Sequence, residues 1–533
     1  MRALPFDPTD LLCRVTTVFV LGLAGCSSSQ TGPGHPQPHG TSPLDFGPCP
    51  AELPHAAMGE CALVEVPLDW SDAERSKRIV LFLRRFRGAA TTNGDQVWAL
   101  DGGPGFAGDV FTDPVLRTVI TDAHYDLYIP THRGTVYGSG LQCAKEQAPS
   151  SSGGGGVTAA EFPGCIGALR SEWGDQLALF DSESAARDVD HLMARVRAED
   201  AGRVVVYGGS YGSYWGQRLL QVAPDTIDGI WLDSIVDLDA SFERADANSN
   251  DAGLRLLGAC AEDADCSMHF ANDASLEAIV ARLAVTFASG EGCGQGTTPG
   301  SRAKALFHRL LSGPPWEQAL VAPLLLRADR CNADDARAVA NALQVLETPS
   351  PAQDRPPAYN ALLNRHILLS ELFAYDRSLS EVERDSRELL FSVEVDPIMA
   401  EFGRSYGPAY QKKLDNSAPA SRAHLVLLQG GIDPLDRLEW ISSTAERWSE
   451  TRVSLVQLPF AGHSVVRYAV DEAGVRCSLE MLSGFLADPS AELDRACLER
   501  RLPFDIAGTA VKTQEAAERW FGAREVWGAE PPQ

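Results

Sequence analysis

The 533-residue sequence is short of basic residues and of long apolar stretches. It carries 46 Lys and Arg against 72 Asp and Glu, a formal net charge of −26, and contains no basic patch. Because phosphate backbones and anionic headgroups are bound through such patches, we expect no nucleic-acid partner. No apolar run reaches the ~20 residues that a membrane-spanning helix needs. Cysteine spacings typical of zinc sites are also absent, so we expect no metal.

One short apolar run lies near the N-terminus, at residues 15–25. Residues 23–26 (LAGC) resemble the lipobox of bacterial lipoproteins, in which the cysteine is lipidated and becomes the mature N-terminus. We expect residues 1–25 to be a signal peptide, Cys26 to be the lipid anchor, and residues 26–50 to form a flexible tether. An ordinary secretory signal with an incidental cysteine is the alternative.

The other cysteines favour an oxidising compartment. Without Cys13 in the leader and Cys26, ten of the 12 cysteines remain. Pairing of sequence neighbours is the simplest disulfide set, although sequence alone does not fix connectivity. The pairs would be Cys49/Cys61, Cys143/Cys165, Cys260/Cys266, Cys293/Cys331 and Cys477/Cys497. We therefore expect an exported protein, either a cell-envelope lipoprotein at the outer membrane or cell surface, or a secreted protein.

Strand patterns alternate with helical patterns along most of the chain, which predicts an α/β fold with a mostly parallel sheet. The predicted strands are 78–86, 96–100, 125–130, 203–207, 229–233, 424–429 and 453–458. Several are continuous apolar runs, typical of strands buried on both faces. The alternation stops between 238 and 420, where Ala, Leu and Arg recur at helical spacing. We predict a core from 51–237 and 421–505, a helical cap from 238–420, and a C-terminal tail from 506–533.

The strongest local motif is GGSYG at 208–212, which fits GxSxG and lies between a predicted strand and a predicted helix. In a nucleophile elbow this turn exposes the serine, so Ser210 is the candidate nucleophile. A hydroxyl needs a base, and the base needs an orienting acid. His463 and Asp433 each follow a predicted strand and stand in the order Ser, Asp, His. Asp436 is a rival for the acid.

The oxyanion of an acyl-transfer intermediate needs two backbone N–H donors. Tyr211, the residue after the nucleophile, is one candidate. The other is Gly103, in the glycine-rich turn 102–105 that follows the predicted strand 96–100.

These motifs together resemble the α/β-hydrolase serine peptidases of the proline iminopeptidase and tripeptidyl aminopeptidase family. The matching segments are GGPG at 102–105, THRGTVYGS at 131–139, GGSYG at 208–212, GGID at 430–433 and AGHS at 461–464, with 49–70 and 477–497 similar to the tripeptidyl branch. The resemblance implies an α/β-hydrolase fold with a helical cap over the site, removal of amino acids or short peptides from N-termini, and no cofactor. Two positions depart from the family. The family usually has Asp where this sequence has Thr131, and iminopeptidases usually have His where it has Asp101.

An aminopeptidase must recognise the cationic α-amino group of its substrate, which a partly desolvated carboxylate within ~4 Å could do. The candidates are Glu371 and Asp376, on the apolar helical segment 367–376, and Asp237 after the strand 229–233. Each could equally be a solvated or structural carboxylate.

The expected function is that of a monomeric serine hydrolase that cleaves peptide substrates at their N-termini and touches a membrane only through its lipid anchor. A carboxylesterase or lipase with the same triad is one alternative. A catalytically silent binding lipoprotein is another, because a fold does not fix a function.

Overall fold

The computed structural model describes residues 44–89, 94–153, 157–158, 160–196, 202–270, 275–293, 300–348, 358–392, 397–411 and 414–528. The predicted signal peptide 1–25, Cys26 and most of the tether lie outside these residues. Among the described helices, none is both long enough and apolar enough to cross a membrane.

Nine described strands form one sheet in the order β1-β2-β3-β5-β4-β6-β7-β8-β9. Their bounds are β1 Gly47–Pro48, β2 Glu60–Pro67, β3 Arg78–Phe86, β4 Gln96–Leu100, β5 Asp126–Pro130, β6 Val204–Gly209, β7 Gly229–Asp233, β8 His424–Gly430 and β9 Arg452–Leu458. The pairs β1/β2, β2/β3 and β3/β5 are antiparallel, and all the other pairs are parallel. The predicted α/β class with a mostly parallel sheet is therefore confirmed.

The central strands are buried on both faces, which is why they read as continuous apolar runs. Along β6, Val204 and Val206 point into one apolar core, and Val205 and Tyr207 point into a second core on the opposite face. Helices cover both faces. In the sheet domain they are α1 Pro114–Asp122, α2 Phe162–Trp173, α3 Ser182–Val196, α4 Tyr211–Val222, α15 Trp440–Arg447 and α16 Cys477–Ala487.

The segment between β7 and β8 is helical in its described part. Its helices are α5 Ala245–Glu262, α6 Ala264–Ser267, α7 Leu276–Ala288, α8 Gly300–Leu311, α9 Pro315–Gln318, α10 Val321–Arg330, α11 Ala333–Glu347, α12 Ala361–Glu371, α13 Leu379–Glu388 and α14 Pro397–Tyr410. Helices α5 to α8, α10 and α11 contribute to a third apolar core, whereas Leu363 and Ile367 of α12 pack into the core of the sheet domain. Although α12 lies within the stretch predicted as the cap, its buried apolar residues pack against the sheet domain.

The C-terminal segment also packs on the cap. Within the stretch predicted as a tail, residues 511–521 form helix α17, Val511–Phe521. Its Trp520 and Phe521 are buried in the cap core, and Asn341 of α11 donates hydrogen bonds to the carbonyl oxygens of residues 519–520 at 3.1 and 3.0 Å.

Five disulfides join the ten cysteines as sequence neighbours, as the simplest pairing predicted. They are Cys49–Cys61, Cys143–Cys165, Cys260–Cys266, Cys293–Cys331 and Cys477–Cys497. The first, second and fifth lie in the sheet domain, and the other two lie in the helical segment between β7 and β8. Such a set is compatible with an exported protein, since disulfides persist in oxidising compartments.

Candidate active site

Ser210 occupies a sharp turn between β6 and α4. Its backbone has φ 56° and ψ −128°, a strained conformation for a residue with a side chain. A Cβ on Gly208 would lie 2.2 Å from the carbonyl oxygen of Gly212, and one on Gly212 would lie 2.0 Å from that of Leu100. Both outer positions of the motif therefore require glycine, and the turn has the form of a nucleophile elbow.

Backbone donors for an oxyanion border Ser210. Tyr211 is the first residue of α4, so its N–H has no acceptor within the helix. The turn at 102–105 approaches from the end of β4: a Cβ on Gly102 would lie 3.0 Å from Ser210 Cβ and 3.5 Å from its Oγ. Gly103 is the next residue in this turn, and its role as an oxyanion donor stays a prediction.

Two side chains hold that turn in place. Asn364 of α12 donates from Nδ2 to the carbonyl oxygens of residues 103–104 at 3.0 and 3.1 Å. Asp101 accepts the N–H groups of Gly102 and Gly108, both at 2.7 Å, and burial raises its pKa to about 6. The sequence analysis missed Asn364, because no local pattern connects residues so far apart in the chain.

His463 lies in the loop after β9, and Asp433 lies in the loop after β8. His463 Nδ1 is 3.1 Å from Asp433 Oδ2 and 3.2 Å from Oδ1, so in the neutral imidazole we assign the proton to Nδ1, which leaves Nε2 as the acceptor. Burial lowers the pKa of His463, but the charge and hydrogen bond of Asp433 outweigh it and raise the pKa above its usual range. Among the described contacts, no hydrogen bond joins His463 to Ser210 Oγ; such bonds are often long before substrate binds.

Asp436 lies almost as close to the histidine, with Oδ2 3.4 Å from His463 Nδ1. Asp433 Oδ1 accepts the backbone N–H groups of Leu435 and Asp436 at 2.9 and 3.1 Å. Neither carboxyl oxygen of Asp436 has a hydrogen-bond partner among the described residues. Burial raises the pKa of Asp436 well above its usual value, whereas His463 lowers that of Asp433 despite burial. These contacts favour Asp433 as the ionised partner of His463.

The same three side chains, Asp433, Asp436 and His463, could surround a cation, since their ligand atoms lie within 4.8 Å of one another. A metal would need the lone pair of His463 Nδ1. That nitrogen carries the proton donated to Asp433 in the arrangement above, so we assign the group to acid–base chemistry.

Asp233, the last residue of β7, connects the elbow to the histidine loop. Its carbonyl oxygen accepts the N–H of Ser210 at 2.8 Å. The backbone of residues 464–466, next to His463, is bonded to the same strand end. The N–H of residue 464 donates to Ser234 Oγ at 2.8 Å, and those of residues 465 and 466 donate to the Asp233 carboxylate at 2.7 and 3.0 Å. The loop of His463 is thus fixed against Ser210. Asp233 was missed, although its place at the carboxyl end of the neighbouring strand was a usable signal.

The segment THRGTVYGS at 131–139, which follows β5, contacts the elbow through His132 and Tyr211. Arg133 is buried, donates to both carboxylate oxygens of Asp188 at 2.7 and 2.6 Å, and reaches the carbonyl oxygens of residues 67–68. His132 Nε2 lies 3.0 Å from the Tyr211 hydroxyl, and burial lowers the pKa of His132 to about 4. A neutral His132 therefore packs under Tyr211.

Glu371, at the end of α12, is linked to the elbow by a polar network. Its Oε1 accepts the N–H of Ser182 at 2.9 Å, and its Oε2 accepts the hydroxyl of Tyr214 at 3.3 Å. Ser182 Oγ in turn lies 2.6 Å from the Tyr211 hydroxyl. Burial, together with the negative charge of Asp181, raises the pKa of Glu371 to about 7.

The two other carboxylates predicted to recognise an amine are paired elsewhere. Asp376, with 54% of its side chain exposed, lies 3.0 Å from Arg244. Asp237 is buried, accepts the hydroxyls of residues 443–444 at 2.8 and 3.0 Å, and pairs with Arg447 at 3.1 Å. Of the three candidates, Glu371 has the shortest described route to the elbow, because it accepts the N–H of Ser182, whose hydroxyl contacts that of Tyr211.

The elbow on β6, the acid loop after β8 and the histidine loop after β9 follow one another along a mostly parallel sheet, in the order Ser, Asp, His. Strand order and elbow together define an α/β-hydrolase fold.

No family model and no curated protein matches the sequence. Solved structures that align with it include an open-form lipase, 15% identical, which covers 80% of this chain and 100% of its own with a TM-score of 0.32. An epoxide hydrolase from Vigna radiata is 10% identical and covers 81% and 97%, with a TM-score of 0.33. A carboxyl esterase from Bacillus coagulans is 12% identical and covers 80% and 98%, with a TM-score of 0.31. A likeness at this level carries no inference about substrate.

Proposed function

We propose that the protein is a serine hydrolase in which Ser210 is the nucleophile, His463 the general base and Asp433 the acid that orients it. The observation that carries this proposal is the strained elbow at Ser210, tied through Asp233 to the loop of a histidine that is hydrogen-bonded to Asp433.

In the proposed reaction, Ser210 Oγ attacks the carbonyl carbon while His463 Nε2 takes its proton. The N–H groups of Tyr211 and Gly103 stabilise the oxyanion. When the tetrahedral intermediate collapses, His463 passes the proton to the leaving group. Water then attacks the acyl-enzyme with His463 again as base, which releases the acid and restores the serine.

We further propose that the substrates are peptides with a free N-terminus, and that Glu371 recognises the α-amino group. Glu371 and Asp181 place two carboxyl groups close together, and Glu371 is joined through Ser182 to the hydroxyl of Tyr211, the residue whose backbone N–H is a proposed oxyanion donor. A cation held beside such a pair would relieve their repulsion. Asn364, earlier on the same helix, holds the other oxyanion turn, so α12 would position the amine relative to the scissile carbonyl.

Replacing Glu371 with glutamine is expected to raise KM for free-amine substrates by about ten- to a hundredfold, because a neutral amide loses the charge attraction to the amine. Aminoacyl and tripeptidyl chromogenic substrates, each with and without an N-acetyl group, measure this effect. KM for the acetylated forms should change little. Asp376→Asn, a similar change at an exposed carboxylate nearby, is the control and should leave both KM values unaltered.

The pH dependence of KM gives a second measurement. Since the pKa of Glu371 is raised to about 7, the carboxylate is charged above that pH and neutral below it. KM for free-amine substrates should therefore fall as the pH rises from 6 towards 8, and this slope should be absent in Glu371→Gln. If the wild-type protein instead hydrolyses acetylated peptides or short-chain esters as well as free-amine peptides, the aminopeptidase proposal is wrong and the esterase alternative gains support.

We also propose that Cys26 carries the lipid that anchors the protein to the cell envelope. Two features support this proposal: the apolar run at 15–25, whose end overlaps LAGC at 23–26, and five disulfides of the kind that exported proteins carry. Cys26→Ser, exported with a non-lipoprotein signal, should move the protein from the membrane fraction to the soluble fraction while kcat and KM stay unchanged. Persistent membrane association would show that Cys26 is not the anchor.

A further inference from the structure

A cavity of about 150 Å³ lies between the cap, the loop after β9 and the C-terminal segment; Ala461 of the histidine loop lines it, but Ser210, Asp433 and His463 do not. Rings and other apolar groups dominate its walls. They include Pro315, Trp316, Phe460, Leu502, Pro503 and Phe504. The rings of Phe460 and Phe504 stack with their centroids 4.7 Å apart and their planes 11° apart.

Apolar side chains at this cavity remain in contact with water. Trp316 is 37% exposed and Leu502 is 47% exposed, although both side chains are large and apolar. Exposed apolar residues that line one concave surface are typical of a ligand site.

Two cations line the same cavity. Lys512 Nζ lies 5.2 Å from the centroid of the Trp316 ring, and Arg501 lies in the wall next to Leu502. Among the described ion pairs, neither cation has a carboxylate partner, although the chain carries a net charge of −26. The lining also contains Asp505, but its two oxygens already accept hydrogen bonds from residues 509–510 at 2.8 to 3.2 Å. The cavity therefore offers positive charge beside an apolar wall.

We propose that this cavity binds a small aromatic carboxylate, with the ring against the aromatic wall and the carboxylate paired with Arg501 and Lys512. A dry apolar cavity of similar size is known to accommodate a benzene ring. Aromatic walls favour a ring through offset or edge contacts, and a guanidinium can bind a carboxylate through two parallel hydrogen bonds. The site differs from the proposed amine-recognition site in the charge that it selects, and it does not depend on the proposed chemistry of Ser210.

The test is calorimetric titration of the full chain with 3-phenylpropanoate, against two matched probes. 3-Phenylpropylamine keeps the ring and reverses the charge, and propanoate keeps the carboxylate and removes the ring. We expect 3-phenylpropanoate to bind with one site per chain and each matched probe to bind at least tenfold more weakly. Equal binding of the amine, or of propanoate, would overturn the proposal.

Variants locate the site. The double substitution Arg501→Glu/Lys512→Glu should weaken 3-phenylpropanoate binding at least tenfold, and Trp316→Ala should weaken it several-fold. Both cations are exposed, so the thermal midpoint should stay near that of the wild type. Lys145→Glu, at a lysine whose side chain is 92% exposed and far along the chain from this cavity, makes the same kind of charge change and should leave binding intact. Unchanged binding in the double variant would place the ligand elsewhere and overturn the assignment.

Discussion

Replacing Ser210 with alanine is expected to lower kcat by about 10⁶-fold, the size of the loss when a triad nucleophile is removed. The substitution deletes one oxygen that has no hydrogen-bond partner among the described side chains, and the glycines at 208 and 212 still form the elbow. The folded protein should therefore keep its thermal midpoint. Kinetics with chromogenic ester and peptide substrates, together with a thermal melt, measure both quantities.

Ser213→Ala is the matched control for this prediction. Ser213 lies one turn further along α4, is buried, and its Oγ accepts the N–H of Val236 at 2.8 Å. Its loss leaves that buried N–H without an acceptor, which costs about 1–3 kcal/mol of folding free energy. The control should therefore melt at a lower temperature and still turn over substrate, the reverse of Ser210→Ala. A folded Ser210→Ala protein with most of the wild-type rate would contradict the proposed nucleophile.

Sequence patterns predicted the central strands well because both faces of those strands are buried. Every residue of β4, β5, β7 and β8 is buried, so a continuous apolar run marks each strand without reference to its neighbours. β2 was not predicted. It lies near the sheet edge, where exposed Leu63 and Glu65 alternate with buried residues, and its eight-residue pairing with β3 is long-range information.

The residues of the candidate site also differ in whether a local sequence pattern reveals them. Ser210, Asp433 and His463 each stand in a short motif after a strand, so local sequence is enough to propose them. Asn364 has no such motif, because its role comes from contact with a turn some 260 residues away. The choice between Asp433 and Asp436 also needed the structure, since the two carboxyls share one loop and differ in the backbone N–H groups that they accept.

If Asp433 is the acid, the same change from Asp to Asn should have very different effects at positions 433 and 436. Asp433→Asn is expected to lower kcat about 10⁴-fold, the size of the loss when the orienting carboxylate of the type-case triad is replaced by an amide. An amide favours the wrong tautomer of His463 and cannot stabilise the imidazolium that forms as Ser210 loses its proton. Asp436→Asn should lower kcat about tenfold at most, because burial raises the pKa of Asp436 well above its usual value and so favours the neutral carboxyl, which an amide resembles.

The pH–rate profiles should separate the two variants independently of the size of each loss. Asp433 holds the pKa of His463 above its usual range, so the loss of its negative charge should move the rising limb of kcat/KM to lower pH. Asp436→Asn should shift that limb less, because burial disfavours the charged form of Asp436 and Asp433 contributes more to the raised pKa of His463. If Asp436→Asn instead shows the larger loss and the shifted limb, Asp436 is the ionised partner, and the contacts of Asp433 with Leu435 and Asp436 only shape the loop. Equal losses in both variants would mean that the two carboxyls share the role, because His463 Nδ1 lies within 3.4 Å of each.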